Sequence, residues 1–429
     1  MAEAQHKLTF LKGAEDFLAM KSSVDADFPS QRALIRSQME EVFNVRNLSF
    51  LLGAGASSYM QQGVQVGIPT MLPLAKEFLD KANLGKAGFP SLEDRTFLKE
   101  TYGIDLADEG FTSNLEHLME VLFATRFVLQ ATSADMQEGS AKAVLSVAQQ
   151  VSAFLLDKCT NGEFAHGNDA VISLYQRFYR KLMLRERGLP RPWVFTTNYD
   201  LFSEVAMDRL GMHYCNGFSG SVERRFNPSL FRYALAEQLD ISSRKWSAVD
   251  GFIYLTKLHG SVNWVEDGEG LFPLKELQST QIGGNVMIYP TPAKQSSSLA
   301  SPYADLFREF QAQITQNQSV LVTIGYSFSD EHINNLIYRA LTIPTFRLII
   351  IATTETSAEI LKLSQLQDPR IWIFGGQLPD GSAAHYFSNF VDEFLPSLPG
   401  ERVENAVQRI IETMRESRVE PEITTGGAK

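Results

Sequence analysis

The distribution of apolar and polar positions divides the chain into short apolar runs that alternate with segments of helical periodicity. The runs are rich in β-branched residues and apolar on both faces, which is typical of parallel strands buried between layers of helices. Amphipathic segments such as Tyr303–Thr315 and Asp330–Leu341 supply connecting helices. The chain is therefore predicted to be an α/β protein built on a parallel sheet. Its predicted strands are Leu48–Leu52, Trp193–Thr197, Ile253–Leu258, Asn285–Tyr289, Ser319–Ile324, Phe346–Ala352 and Ile371–Phe374.

The segment from residue 82 to residue 190 lacks the strand pattern and is predicted to form an all-helical insertion. Asn114 can cap a helix that begins at Leu115, and Ala141–Lys158 and Asn168–Leu184 repeat the helical spacing. We interpret their apolar stripes as core rather than as ligand contacts. The predicted domains are an N-terminal helical extension (residues 1–46), a sheet domain (47–81 and 191–395), the insertion (82–190) and a C-terminal helix with a disordered tail (396–429).

Two amphipathic helices near the ends of the chain are candidate interaction surfaces. One covers Leu34–Phe43 and the other Val403–Met414. Stripes of this kind more often pack on their own domain, so both interpretations stay open.

Composition and charge narrow the function classes. With 44% hydrophobic and 21% charged residues, the chain has the composition of an ordinary globular protein with a sizeable core. A formal net charge of −11 argues against direct nucleic-acid binding, which depends on clustered Lys and Arg. The only cysteines, Cys159 and Cys215, exclude a disulfide framework and a four-cysteine zinc site and favour a cytoplasmic location. Residues 1–21 are too polar for a signal peptide, and no apolar run approaches the length of a membrane span.

Small or polar residues directly follow several of the predicted strands. The first strand runs into Gly53–Ser57, a tight turn of the kind that brings backbone amides close to a pyrophosphate. Later strands end in Asn198–Asp200, His259–Gly260 and Gly325–Asp330. Because ligands of open parallel sheets bind at the carboxyl ends of the strands, these segments are expected to share one rim. Each alone has a structural reading as a turn, a helix cap or a core histidine, but their joint occurrence favours a site.

Three side chains on this rim are candidates for catalysis: Asn198, His259 and Asp200. His259 is the histidine that ends an apolar strand, and imidazole is the usual general base near neutral pH. The amide of Asn198 can donate and accept, which suits the orientation of a water or a ribose hydroxyl. Asp200 could fix that amide or stabilise developing positive charge.

These segments resemble the motif series of the sirtuins, in sirtuin order, over residues 47–375. The matching runs are Gly53-Ala54-Gly55-Ala56-Ser57, Gly67-Ile68-Pro69, Thr197-Asn198-Tyr199-Asp200, His259-Gly260-Ser261 and Gly325-Tyr326-Ser327. The runs Phe195–Asp200, Asn216–Gly220, Lys257–Ser261 and Asp330–Asn334 more narrowly resemble the sirtuin-like subunit of bacterial antiphage systems, which pairs with a HerA-type hexameric ATPase.

The resemblance implies a Rossmann-like, sirtuin-type sheet with NAD⁺ as substrate. The pyrophosphate would lie over Gly53–Ser57, the adenosine ribose near Gly325 and Ser327, and the nicotinamide beside Gly67–Pro69. The implied binding residues are Gly53, Ala54, Gly55, Ala56, Ser57, Gly67, Ile68, Pro69, Thr197, Tyr199, Gly325, Tyr326 and Ser327. It further implies a homo-oligomer and an ATPase partner.

The sequence departs from deacylating sirtuins because it lacks their paired zinc cysteines. No zinc module and no bound metal are therefore expected, and water is favoured over an acyl-lysine as the nucleophile. The predicted reaction is hydrolysis of NAD⁺ to nicotinamide and ADP-ribose, which would deplete NAD⁺ during phage infection. The alternatives are a non-catalytic NAD⁺ or ADP-ribose sensor within a complex, an NAD⁺-dependent protein deacylase, and, less favoured, a nuclease.

Overall fold

The computed structural model describes residues 7–21, 27–61, 64–131, 138–160, 169–240, 245–249, 251–266, 274–278, 303–398 and 400 of the 429-residue chain. Its centre is a nine-stranded sheet with the order β2-β1-β9-β8-β7-β3-β4-β6-β5. The strands from β9 to β5 in that order are parallel, whereas β1 pairs antiparallel with β9. In chain order they are β1 (Lys7–Lys12), β2 (Glu15–Asp16), β3 (Asn47–Leu52), β4 (Trp193–Thr196), β5 (His213–Cys215), β6 (Phe252–Lys257), β7 (Ser319–Ile324), β8 (Arg347–Ile351) and β9 (Ile371–Gln377).

Most of the predicted strands are present. The fold is α/β with a predominantly parallel sheet, as predicted, and β3, β4, β6, β7, β8 and β9 coincide with predicted strands to within a few residues. The predicted strand at residues 285–289 lies outside the described part of the chain. So do the C-terminal segment from residue 401 onwards and its predicted helix.

The N-terminal segment joins the sheet, which the sequence did not predict. Residues 1–46 were expected to be a helical extension, yet β1 pairs with β9, and Phe10 lies opposite Phe374. Leu8 and Phe10 are buried while their neighbours are more exposed, so a short alternating pattern, easily missed in isolation, places β1 in the core. The helix Phe28–Phe43 does match the prediction and is capped by Asp27.

Helices cover both faces of the sheet. The helices are α1 (Phe17–Lys21), α2 (Phe28–Phe43), α3 (Ala54–Ser57), α4 (Met71–Asn83), α5 (Leu92–Tyr102), α6 (Glu109–Ser113), α7 (Leu115–Ala131), α8 (Glu138–Thr160), α9 (Ala170–Leu182), α10 (Phe202–Leu210), α11 (Tyr303–Ile314), α12 (Glu331–Leu341), α13 (Ala358–Gln365) and α14 (Phe387–Asn389), which continues as a π-helical turn over Phe390–Phe394. Helices α2, α9, α10 and α14 pack in one hydrophobic core, and α11, α12 and α13 in the core on the other face. The result is a three-layer α/β/α arrangement.

A separate hydrophobic core lies within the helical segment between β3 and β4. Leu74 and Phe78 of α4 share it with residues of α5, α6, α7 and α8. Helix α9 instead packs on the sheet through Tyr175 and Phe178. The packing therefore places α4 with the helical subdomain and α9 with the sheet. The predicted boundaries at residues 82 and 190 had instead assigned α4 to the sheet domain and α9 to the insertion.

The remaining strands form small sheets outside the central one. Phe218–Ser219, Arg224–Phe226, Trp264–Glu266 and Leu274–Glu276 form a four-stranded sheet, Ala236–Asp240 pairs with Lys245–Ala248, Met60–Gln61 pairs with Val64–Gln65, and Pro228–Arg232 forms a 3-10 turn. Among the helices of the described ranges, none combines the length and the apolar character needed to cross a membrane.

Candidate active site at the carboxyl ends of four strands

Four strand ends lie side by side. Strands β7, β3, β4 and β6 are neighbours in that order and all run in the same direction. Their last residues are in register, since Leu52 pairs with both Ile324 and Thr196, and Thr196 pairs with Lys257. The segments that begin at Gly325, Gly53, Thr197 and Leu258 therefore leave the sheet at one edge.

The glycine turn after β3 packs directly against the turn after β7. The N–H of Gly53 donates to the carbonyl of Ile324 (2.9 Å), and the N–H of Gly55 donates to that of Gly325 (3.0 Å). A Cβ on Gly53 would lie 2.4 Å from the Gly325 oxygen. Gly325 has φ +63°, and its own added Cβ would meet the Ala56 nitrogen at 2.4 Å. These glycines are thus required by contact between two loops, whereas the sequence suggested that a ligand required them.

Several backbone N–H groups of this turn already donate hydrogen bonds within the protein. Besides Gly53 and Gly55, the N–H of Ala56 donates within the protein, to the Gly53 carbonyl. Helix α3 is only a single turn. The small side chain of Ala54 in this turn is exposed.

Asn198 is held by a buried network behind the rim. Its Nδ2 donates to the Gly53 carbonyl and to Ser57 Oγ, both at 2.9 Å. Ser57 Oγ in turn donates to Asp200 Oδ2 at 2.6 Å. Because the Ser57 hydroxyl has one proton, Tyr175, whose OH is 3.0 Å away, donates to it. The carboxamide nitrogen of Asn198 is therefore committed to hydrogen bonds within the protein.

The buried carboxylate of Asp200 supports this network. It is only 5% exposed; Oδ2 accepts from Ser57, and Oδ1 accepts from the Phe202 N–H at 3.1 Å. Burial raises the pKa of Asp200, although the charge of Lys257 opposes that shift. Of the two roles predicted for Asp200, its contacts fit the fixing of the Asn198 amide. The Ser57 hydroxyl, which the resemblance assigns to NAD⁺ binding, is likewise used within the protein.

His259 has a carboxylate partner that the sequence did not assign to it. Its Nε2 lies 2.8 Å from Oδ2 of Asp330, and the residue is 8% exposed. Burial alone would lower the pKa of His259, but the hydrogen bond to Asp330 and nearby negative charge raise it above its ordinary value of 6.5. With Nε2 engaged, Nδ1 is the nitrogen that can accept a proton from a ligand.

The loop that presents Asp330 is held by several internal hydrogen bonds. Asp330 caps α12, and its Oδ1 accepts from the Ile333 N–H at 3.0 Å. The Tyr326 hydroxyl donates to Asn334 Oδ1 at 2.9 Å, and the Asn334 amide donates to the Phe328 carbonyl at 2.8 Å. Tyr326 is therefore buried as a structural support, whereas Ser327 is exposed. The signal for Asp330 in the sequence was its position at a helix start on the same rim.

A buried lysine joins the loops after β4 and β6. Lys257 forms an ion pair with Glu204 at 2.9 Å, and its Nζ also donates to Ser261 Oγ at 2.7 Å and to the backbone carbonyl of Asp200. Lys257 and Glu204 are 2% and 6% exposed. This contact fixes the backbone on both sides of the predicted catalytic residues, and it was missed because a lysine within an apolar strand has no local signal.

The segment Gly67–Pro69 also lies next to the glycine turn. The N–H of Ile68 donates to the Ser57 carbonyl at 2.9 Å, and a Cβ on Gly67 would lie 2.2 Å from that oxygen. Ile68 packs against a small cluster that contains Tyr199 and Val262. The predicted binding residues around Gly53, Gly67, Thr197 and Gly325 thus lie close to the predicted catalytic residues.

A cavity of about 320 Å³ lies elsewhere, in the helical subdomain. Its lining includes Lys76, Asn83, Arg95 and Asp105, and none of its lining residues belongs to the strand-end rim. We take the rim and not this cavity as the candidate active site, because the rim has an imidazole–carboxylate pair and a fixed carboxamide. Within the described ranges, no group of three or more His, Cys, Asp and Glu side chains could hold a metal ion.

Comparison with known proteins agrees with this geometry. Residues 192–365 match the family model of the SIR2-like domain, which is about two fifths of the chain. The match includes Asn198, His259 and Asp330. The Gly53–Ser57 turn lies outside the matched residues, and the strand order of the sheet brings it close to them. No curated protein gives a significant match to the chain. The match and the parallel sheet support a sirtuin-like fold, and SIR2-like domains use NAD⁺.

Proposed function

We propose, from this SIR2-like domain and the groups at its strand ends, that the protein is an NAD⁺ glycohydrolase that cleaves NAD⁺ to nicotinamide and ADP-ribose. The observation that carries the proposal is the pairing of His259 with Asp330 on the same rim as Asn198. A sensor needs a cradle for the dinucleotide but has no need for a base held by a carboxylate. The arrangement therefore favours an enzyme.

The proposed reaction uses the free atoms of this rim. The oxygen of Asn198 accepts a hydrogen bond from a water or a ribose hydroxyl, because its nitrogen is held by Gly53 and Ser57. The bond between C1′ of the ribose and the nicotinamide nitrogen breaks, and nicotinamide leaves as a neutral molecule. The water oxygen bonds to C1′, and its proton passes to Nδ1 of His259. Asp330 holds the imidazole and stabilises the imidazolium that forms.

The positions proposed for NAD⁺ follow the sirtuin resemblance. The pyrophosphate lies over Gly53–Ser57, the adenosine ribose near Gly325 and Ser327, and the nicotinamide beside Gly67–Pro69. The exposure of Ala54 and Ser327 supports this placement, because both residues are accessible from solvent. Water attacks in place of an acyl-lysine because the sequence has no paired zinc cysteines like those of deacylating sirtuins.

One assay separates the three functions. Purified protein is incubated with NAD⁺, with and without an acetyl-lysine peptide, and free nicotinamide is measured. Release that does not depend on the peptide supports hydrolysis. Release only with the peptide supports a deacylase, and no release in any assembly state supports a sensor.

We further propose that the hydrolase acts as an NAD⁺-depleting effector of an antiphage system, as a homo-oligomer with a HerA-type ATPase. This role rests on the motif resemblance alone. It predicts that cells expressing the system lose NAD⁺ on phage infection, and that a His259→Ala version does not. Infection without any difference in NAD⁺ between the two would contradict the role but leave the enzymatic proposal intact.

A further inference from the structure

Glu116 of the helical subdomain makes a hydrogen bond to the strand-end rim, beside the apolar contact of Leu156 and Cys159 of α8 with Tyr199 and Val262. Helix α7 begins at Leu115, and Asn114 caps it by accepting the Glu116 N–H at 2.9 Å. The half-buried carboxylate of Glu116 accepts a hydrogen bond from the Tyr199 hydroxyl, with 2.8 Å between the two oxygens. A residue of the subdomain thus contacts the motif segment that contains Asn198.

Tyr199 connects this contact to the imidazole. It stands between Asn198 and Asp200 in the chain, and its ring centroid lies 6.3 Å from that of His259. Its backbone carbonyl accepts from the Val262 N–H at 3.0 Å, which ties it to the loop after β6. A movement of Tyr199 would therefore change the positions of both Asn198 and His259.

We propose that Glu116 is a positioning residue of this site, whose carboxylate holds Tyr199 in place and supplies negative charge beside His259. This inference deepens the proposed function and rests on it. During hydrolysis, His259 becomes positively charged when it takes the proton from water. A fixed carboxylate nearby stabilises that charge and makes the imidazole a stronger base.

The charges around His259 come from two helices. Asp330 at the start of α12 makes the direct contact, and His332 lies near enough to act on Asp330. From α7, both Glu116 and Glu120 raise the pKa of His259, against the lowering caused by burial. Glu120 is exposed and lies 3.5 Å from His117, so of the two glutamates Glu116 is the one anchored to the site.

A purely structural role for Glu116 makes a different prediction. An acidic residue in the first turn of a helix stabilises that helix, and the bond to Tyr199 would help to dock α7. In that case, replacing Glu116 would lower the melting temperature without changing the titration of His259. Glu116→Gln separates the roles, because glutamine can still accept from Tyr199 but carries no charge.

The test combines two measurements on the full chain. Histidine NMR signals are titrated without NAD⁺, with His259→Gln used to assign the signal, and the pH dependence of nicotinamide release is measured. In Glu116→Gln we expect a lower pKa for His259, an acid limb of kcat at lower pH, and a kcat plateau reduced by about tenfold or less. Tyr199→Phe should lower kcat while leaving the acid limb near that of wild type.

Glu100→Gln is the matched control, because Glu100 is an exposed glutamate of α5 in the same subdomain. It should change neither measurement. If Glu116→Gln unfolds, Glu116→Asp provides the comparison, and it should retain a raised pKa for His259 while lowering kcat. A His259 titration identical in wild type and Glu116→Gln would overturn the proposal. If instead the titration responds but wild type releases no nicotinamide, the proposed function fails while the coupling of Glu116 to His259 stands.

Discussion

Nε2 of His259 lies 2.8 Å from Oδ2 of Asp330, and this contact joins the end of β6 to the start of α12. Strands β3 and β4 separate β6 from β7, the strand that leads to Asp330. The pair therefore spans the edge of the sheet at which Gly53 and Asn198 lie.

The Asp330 contact predicts a shift in pH dependence. In Asp330→Asn the negative charge is lost, so burial dominates and the pKa of His259 falls. The neutral, basic form of His259 then persists to lower pH, and the acid limb of kcat moves to lower pH. The plateau falls as well, because a weaker base accepts the proton less readily. The pH profile of nicotinamide release measures both effects. Asp80→Asn, at an exposed position of α4, should behave as wild type, and an unmoved acid limb in Asp330→Asn would exclude His259 as the titrating base.

The Ser57 hydroxyl predicts a linked loss of stability and activity. Ser57→Ala removes the donor to Asp200 and the acceptor for Asn198. Leaving such buried groups unsatisfied costs about 1–3 kcal/mol, which urea unfolding would detect as a lower free energy of unfolding. Nicotinamide release should also fall, since the Asn198 carboxamide loses a fixed orientation. Ser58→Ala is the control, because among the described residues the Ser58 hydroxyl has only a long contact of 3.4 Å with Gln65. Equal effects of the two substitutions would show that the network does not hold Asn198.

Contact between the glycine turns predicts a large effect of a single methyl group. In Gly325→Ala the new Cβ would lie 2.4 Å from the Ala56 nitrogen, so the two turns must separate. Gly103→Ala has nearly the same backbone strain, with φ +69°, but nothing lies within 4 Å of its added Cβ. The control should lose about 1–2 kcal/mol of stability. Gly325→Ala should lose clearly more stability and should also bind NAD⁺ more weakly. Thermal unfolding and calorimetric titration with NAD⁺ would measure this, and matching losses in both variants would contradict the contact.

Local patterns were enough to predict the sheet and its rim. Apolar runs followed by Gly53, Asn198, His259 and Gly325 are visible in the sequence, and parallel pairing brings such ends together. What could not be predicted depends on pairing between distant segments. Strand β1 lies at the N-terminus but pairs with β9, and its short alternation carries no sign of that partner.

The roles of individual side chains were harder to predict for the same reason. Asp200 follows Asn198 closely in sequence and was assigned to catalysis, yet its carboxylate points into the buried network. Asp330 is the carboxylate that contacts His259. The two residues are distant in sequence and meet because of the order of the strands in the sheet. Hydrogen-bond partners depend on three-dimensional neighbours that residue type and spacing do not specify.

The most direct test of the central claim is the rate at which wild type, Asn198→Ala and His259→Ala release nicotinamide from NAD⁺. NAD⁺ binding is measured separately by calorimetry. Wild type should release nicotinamide without any peptide. Both variants should remain folded and bind NAD⁺, while kcat falls by about 10²–10⁴-fold in His259→Ala and comparably in Asn198→Ala. Release at the wild-type rate by both variants would contradict the claim that this rim cleaves NAD⁺.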